Sequence, residues 1–194
     1  TLYNPVVTPE MAELCALDPG HPWLEQGAPP VVLGVGSLTK RKDFHTLMRA
    51  FALVSESSDA RLVILGEGPL RSALEAFAVE LGIADRVDMP GFVQNPFAYM
   101  TRAGVYVLSS NLEGLPGSLV QALACGCPSV ATDCPSGPAE ILAHGEVGPL
   151  VDVGDHVAMA EAILGQLADP PPPARLKAAV TKYDATTVLD SVAG

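Results

Sequence analysis

Leu108-Ser-Ser-Asn-Leu-Glu-Gly-Leu-Pro-Gly-Ser-Leu-Val-Gln121 is the stretch on which the reading of this chain turns. The run 105–108 is apolar, short and rich in valine, which predicts a buried strand rather than a helix. Polar residues end that run, and Glu113 follows in the loop past the strand's carboxyl end. Gly114 is read as the residue that lets the backbone turn sharply. Pro116 suits the first turn of a helix, where a missing N–H costs nothing. Leu119, Val120, Ala122, Leu123 and Ala124 continue that helix. The stretch therefore predicts a strand–loop–helix unit with a carboxylate at its mouth and free backbone N–H groups beside it. In open α/β sheets ligands bind outside the carboxyl ends of strands, and a helix N-terminus suits a phosphate.

The same alternation extends outward from this unit. Upstream, 31–35 and 61–65 read as buried strands, and 44–55 and 70–81 as helices, with Asp43 as an N-cap and Gly82 as a C-terminal stop. A short strand 87–89 and a short helix from the cap Asn95 to Arg102 lead to the central strand, 104–109. Downstream come strand 129–132, helix 139–143, strand 148–153 and helix 156–167, capped by Asp155. Pro170 to Pro173 break the chain before a last helix at 175–181. Strands alternating with helices predict an α/β fold: a Rossmann-like, doubly wound parallel sheet of about six strands with helices on both faces. Three segments result. Residues 1–30 are a Pro- and Gly-rich connector with one short helix at 9–17, residues 31–169 the sheet domain, and residues 170–194 the proline break with a C-terminal helix and tail.

Composition narrows the function. The chain has 194 residues, 48% of them hydrophobic, enough for a real core. No apolar run approaches the 18 or so residues a membrane span needs, and no signal-peptide pattern opens the chain. A net charge of −11 argues against nucleic acid or an anionic membrane surface as partner, so membrane contact is not evident. Of the 11 basic residues, three stand together as Lys40-Arg41-Lys42, which is either a solvated turn or an anion site. Cys15, Cys125, Cys127 and Cys134 lack the paired spacing of a zinc site and read as reduced core residues of a cytoplasmic protein. His21, His45, His144 and His156 are scattered and read as surface or cap residues. Asp152 and Asp155 make no metal motif, so neither metal nor cofactor is expected. Leu33-Gly-Val-Gly-Ser-Leu-Thr39 fails the dinucleotide fingerprint, lacking its third glycine and the acid some 20 residues on.

Glu113 and Gln121 stand eight positions apart, flanked by Ser109-Ser110 and by Ala122-Leu-Ala-Cys-Gly-Cys-Pro-Ser-Val-Ala-Thr-Asp133. This resembles the Glu-x7-Glu motif and surroundings of family-four retaining glycosyltransferases of the GT-B fold, with Gln in place of the second Glu. Asn4-Pro5-Val6-Val7 resembles the connection by which that family's second domain begins. Such enzymes have two Rossmann-like domains, so the resemblance implies a C-terminal, donor-binding half whose N-terminal acceptor domain is missing, and which alone is inactive. It implies transfer of a sugar from a nucleoside diphosphate sugar, guessed as a UDP-sugar, to a glycan or lipid-linked acceptor with retention, in the cytoplasm or at the inner membrane face.

The resemblance also assigns residues. In the family the first loop carries a Gly-Arg pair and then a Lys for the diphosphate. Gly36 and Lys42 match, Ser37 replaces the Arg, and Arg41 is the nearest substitute guanidinium. Glu113 matches the carboxylate that meets the sugar hydroxyls and the positive charge forming near the anomeric carbon; its alternative is a helix-terminus acid satisfying N–H groups. Gln121 matches the ribose position, its alternative being a buried amide bonded to backbone. Gly66, Glu67, Gly91, Phe92 and Val93 border the base or are plain turns. Gly114, Leu115, Pro116, Gly117, Ser118 and Leu119 bind the donor, with the helix N-terminus near Gly117-Ser118 stabilising its leaving group. Glu113 and Lys42 are the catalytic candidates. The rival readings are a GT-B-fold epimerase or phosphorylase, or a non-catalytic nucleotide-binding module. No pyridoxal-linked lysine is identifiable for a phosphorylase.

Overall fold

The computed structural model describes residues 7, 8 and 10–183. Six parallel strands form one sheet: β1 (Val31–Val35), β2 (Arg61–Leu65), β3 (Val87–Gly91), β4 (Val105–Leu108), β5 (Ser129–Thr132) and β6 (Leu150–Val151). Their order is β3-β2-β1-β4-β5-β6. The chain thus winds outward from β1, returns to the middle and winds outward the other way. Its crossover lies between the carboxyl ends of β1 and β4, where doubly wound sheets place their ligands.

Side chains alternate along each strand, so the sheet builds two cores. Leu33, Val63, Leu65, Tyr106, Leu108 and Ala131 face one layer of helices, made by α1 (Met11–Ala16), α4 (Pro96–Arg102), α5 (Gly117–Ala124) and α8 (Pro173–Ala179). Val32, Leu62, Ile64, Val105, Val107 and Val130 face the other, made by α2 (Phe44–Ser57), α3 (Arg71–Glu80) and α7 (His156–Ala168). Burial on both faces is why these strands read as continuous apolar runs. A single-turn helix, α6 (Pro138–Ile141), follows β5.

The expected caps form. Asp43 accepts the Thr46 N–H at 3.4 Å and the Thr46 hydroxyl at 2.7 Å. Asn95 accepts from Ala98, and Asp155 from Val157 and Ala158. Several boundaries differ from the sequence expectation. β3 runs on to Gly91, because Leu65 of β2 still has a partner there. β6 shrinks to two residues, because as an edge strand it meets only Ala131 and Thr132 of β5. The last helix starts at Pro173, and Leu176, Val180 and Tyr183 are buried in the core beside α5. Of the histidines expected at the surface or as caps, His21 is a cap: it accepts the Trp23 N–H, is buried, and pairs its Nε2 with Asp88 at 2.9 Å. The expectations for Asn4, Pro5, Val6, Pro9 and 184–194 lie outside the described residues.

Candidate functional site

The loops leaving β1 and β4 are stitched to each other at the crossover. The Ser109 hydroxyl donates to the Lys42 carbonyl at 2.8 Å. Asn111 donates its backbone N–H to the Arg41 carbonyl at 2.8 Å and its side-chain amide to the Lys40 carbonyl at 3.1 Å. The basic turn is therefore a fixed wall whose backbone is tied down, while the Lys40 and Arg41 side chains stay exposed.

Within that frame Lys42 reaches inward. Its Nζ donates to Glu113 Oε1 at 2.6 Å, and the two side chains are only 12% and 6% exposed. Ser110, fully buried, donates its hydroxyl to the same oxygen at 2.6 Å. Thr132 on β5 fixes Ser110 in turn, donating to its carbonyl at 2.6 Å. Both strong donors thus converge on Oε1, and Oε2 has no hydrogen-bond partner among the described residues. Glu113 is a carboxylate held by one oxygen with the other available.

Beside this pair lies a cleft of about 370 Å³ lined by Val35, Gly36, Ser37, Leu65, Gly66, Glu67, Phe92, Val93 and Pro96. It collects the predicted residues from the ends of β1, β2 and β3. Two glycines are required by close approach. A Cβ on Gly66, whose φ is +138°, would stand 2.0 Å from the Gly36 carbonyl oxygen. A Cβ on Gly137, φ +101°, would meet Pro116 Cδ at 2.5 Å and the Gly114 carbonyl at 2.6 Å. The lysine stem runs along the rim of the cleft, since a Cβ on Gly36 would touch Lys42 Cε at 2.8 Å. Gly91 closes against the Glu67 carboxylate, and Phe92 is 78% exposed at the lip.

Glu67 is engaged by a residue that sequence reasoning missed. Arg71 holds it bidentately, Nε to Oε2 at 2.9 Å and Nη2 to Oε1 at 2.6 Å, and also donates to the Met89 carbonyl at 3.0 Å. The Arg71 hydrogen bonds hold the Glu67 carboxyl below its usual range. The i,i+4 spacing was a readable signal for this pair.

At α5 the candidates divide. Ser118, the second residue of the helix, has a backbone N–H with no acceptor among the described residues, so it is the free N–H of the helix mouth. Gly117 spends its N–H on the Leu115 carbonyl at 2.9 Å. Leu119 is corrected: its side chain is fully buried in the core and its N–H is bonded to the Pro116 carbonyl at 3.0 Å, leaving nothing for a ligand. Gly114 is also corrected, since its φ is not positive and a Cβ placed on it would meet open space, so its turn does not demand glycine. Pro116 is buried as the residue before the helix, and Leu112 and Leu115 are 53% and 39% exposed on the outer lip. Gln121 is half-buried and its amide makes no hydrogen bond among the described residues, which disfavours the buried structural amide.

Tyr106 supports the helix mouth from below. Fully buried on β4, its phenol oxygen lies 2.8 Å from Ser118 Oγ, and burial pushes its ionisation well above the usual value. Tyr106→Phe should cost about 1 kcal/mol in urea denaturation at pH 7. Above a pH of about 10 the unfolded phenol ionises while the folded one keeps its proton, so unfolded protein binds fewer protons and stability falls as pH rises. Wild type should therefore lose stability faster than Tyr106→Phe there, by about 1.4 kcal/mol per pH unit. Parallel curves would show that Tyr106 ionises freely in the fold.

Among the described residues no three His, Cys, Asp or Glu side chains gather as a metal site, and no helix is long and apolar enough to cross a membrane. Residues 22–183 match the family described as Glycosyl transferases group 1. An N-acetylgalactosamine-N,N'-diacetylbacillosaminyl-diphospho-undecaprenol 4-alpha-N-acetylgalactosaminyltransferase of Campylobacter jejuni is 38% identical over 138 residues, which are 71% of this chain and 37% of that protein. The lipopolysaccharide core biosynthesis glycosyltransferase LpsD of Rhizobium meliloti is 34% identical over 148 residues, 76% of this chain and 42% of that protein. The chain thus spans about two fifths of the length of these relatives. Among solved structures, the apo form of the lipopolysaccharide outer core galactosyltransferase WaaB superposes with a TM-score of 0.80 at 24% identity, covering 100% of this chain and 54% of that one. Anabaena Alr3699/HepE in complex with UDP and glucose gives 0.76 at 23% identity, covering 84% and 47%. With a family match over most of its length and a six-stranded parallel sheet shared with those structures, the chain belongs to the group 1 glycosyltransferases, the family-four, GT-B-fold group that its Glu113-to-Gln121 stretch resembles.

Proposed function

We propose that this chain is the donor-binding half of a retaining glycosyltransferase that takes a nucleoside diphosphate sugar, and that the donor is a UDP-sugar. The observation that carries the reading is the Lys42–Glu113 pair at the sheet crossover, beside the cleft and the free Ser118 N–H. The nucleoside occupies the cleft between Gly66-Glu67 and Phe92-Val93, with Gly91 beneath them. The diphosphate lies over the mouth of α5 and against Lys42, with Arg41 and Ser37 beside it. Glu113 Oε2 and the 114–118 loop face the sugar, and Gln121 faces the ribose. Charge on the departing diphosphate is then met by preorganised donors, the main electrostatic contribution to catalysis, with no metal required. The choice of UDP draws on the solved relatives named with that nucleotide.

The acceptor is a glycan or lipid-linked sugar, in line with the names of the relatives, and its half of the cleft belongs to an N-terminal domain absent from this chain. The full-length enzyme works in the cytoplasm or at the inner membrane face. This chain alone should therefore bind nucleotide and transfer nothing. Titration calorimetry with UDP, GDP and ADP is expected to show one clear preference, for UDP; silence with all three removes the donor-binding reading.

Gln121→Glu restores the family's residue and should raise UDP affinity two- to fivefold, as a rough estimate. A charge-assisted hydrogen bond exceeds a neutral one by about 1 kcal/mol, and repulsion from Glu113 and the diphosphate takes back part of it. The gain should vanish with 2′,3′-dideoxy-UDP. Equal effects on both nucleotides would remove Gln121 from the ribose site.

A further inference from the structure

A second chemical feature lies on the α1 side of the sheet. Cys15 on α1 and Cys125, the residue that ends α5, bring their sulfurs to 3.2 Å from 110 positions apart. Neither position is accidental packing of a loose end. α1 is held by Asn95, which donates its amide to the Leu14 carbonyl at 2.9 Å, and Asp18 just beyond it pairs with Arg102 at 2.7 Å. Cys125 is fixed by its N–H to the Gln121 carbonyl at 2.9 Å, with Gly126 turning the chain behind it at φ +81°. All four cysteines are free thiols. Cys127 points its sulfur to the Ala103 carbonyl instead.

We propose that Cys15 and Cys125 are a dithiol modification site that closes into a reversible disulfide on contact with a small disulfide oxidant of the glutathione class. This does not rest on the glycosyltransferase reading. A disulfide needs the sulfurs to close the gap from 3.2 Å by about 1.2 Å, within the reach of side-chain rotation. Cys15 is half-buried and Cys125 is buried, so the oxidant meets Cys15 first. The Cys15 thiolate attacks one oxidant sulfur and releases one small thiol. Cys125 then attacks the Cys15 sulfur of the mixed disulfide and releases the second. Two protein thiols are oxidised, the oxidant is reduced to two thiols, and the two protons lost by the protein end on them. Burial beside the Cys15 sulfur raises the Cys125 thiol, which makes the second step the slow one. The bond staples the segment before β1 to the end of the helix whose other end forms the candidate site.

The chain should be incubated in oxidised glutathione, alkylated, and weighed intact and as peptides. The expected product has lost two hydrogens, carries a Cys15–Cys125 linked peptide, and returns to the starting mass with dithiothreitol. Closing so long a loop should raise Tm by about 5–10 °C, and amide exchange at 11–16 should slow at least tenfold. Cys15→Ser should abolish the linkage, and Cys127→Ser and Cys134→Ser should keep it. If Cys125→Ser fails to fold, the peptide map of the wild type still decides. Stable glutathione adducts without the link, or a link made through Cys127, overturns the proposal.

Discussion

Lys42→Ala is expected to weaken UDP binding tenfold or more while leaving uridine binding within about twofold. A hydrogen bond to a charged group contributes about 1.5–3 kcal/mol, and 1.4 kcal/mol is a factor of ten. The cleft proposed for the nucleoside is lined by other residues, so uridine serves as the internal control. The substitution has a second effect through Glu113. Removing Lys42 leaves a carboxylate that is 6% exposed without its counter-charge. A fully buried pair broken in this way costs about 3–5 kcal/mol. Here Ser110 still donates to Oε1, and the site opens to the cleft mouth, so a loss of about 2 kcal/mol is expected in urea denaturation. Combining Lys42→Ala with Glu113→Gln should recover most of that stability, but only the part of the UDP affinity that relief of carboxylate repulsion returns. Equal, small losses for uridine and UDP would confine Lys42 to holding Glu113.

That double role marks the boundary of what the sequence discloses. β1 and β2 are legible to the residue, because central parallel strands are apolar runs, broken here only by Arg61 at the start of β2, and end at turn residues. The caps Asp43, Asn95 and Asp155 are legible because capping is a matter of two or three positions. β6 is not, since its length is set by how much of β5 remains to pair, which no local pattern records.

In the site, Lys42 and Glu113 stand out individually, each by its motif, yet their bond joins residues 71 positions apart. Thr132 is less accessible still, because its part in the site passes through the Ser110 carbonyl rather than through any residue type that suggests chemistry. Leu119 is a different case, because the burial of its side chain is legible in the sequence. The helical period puts Ser118 and Gln121 on one face and Leu119, Val120, Ala122 and Leu123 toward the core, and the structure follows that phase.

Glu113→Gln, introduced into the full-length protein, should separate binding from chemistry with effects of opposite sign. The side chain keeps its shape, and the amide oxygen can still accept from Lys42 and Ser110 in the place of Oε1, so the loops should stay joined. What is lost is the charge. Lys42 is no longer neutralised at 2.6 Å, and a bound diphosphate no longer faces a neighbouring carboxylate. Two unit charges some 6 Å apart interact by roughly 3 kcal/mol at an effective dielectric constant near 20, and salt and the open cleft reduce this to about 1 kcal/mol. UDP should therefore bind about threefold to tenfold tighter. Turnover should fall by about 10²–10³, the range seen when one preorganised electrostatic partner of a transition state is removed. In this reading the positive charge forming near the anomeric carbon loses the carboxylate oxygen that faced it, an interaction present mainly in the transition state. A misfolded variant loses affinity and turnover together, so it cannot mimic a tighter, slower enzyme. Isothermal titration with UDP and initial rates with saturating donor give the two numbers. If both fall in parallel, Glu113 is a support for the Lys42 loop and the catalytic assignment goes to another group. If affinity rises and turnover stays, the carboxylate restrains the diphosphate site and takes no part in the transfer.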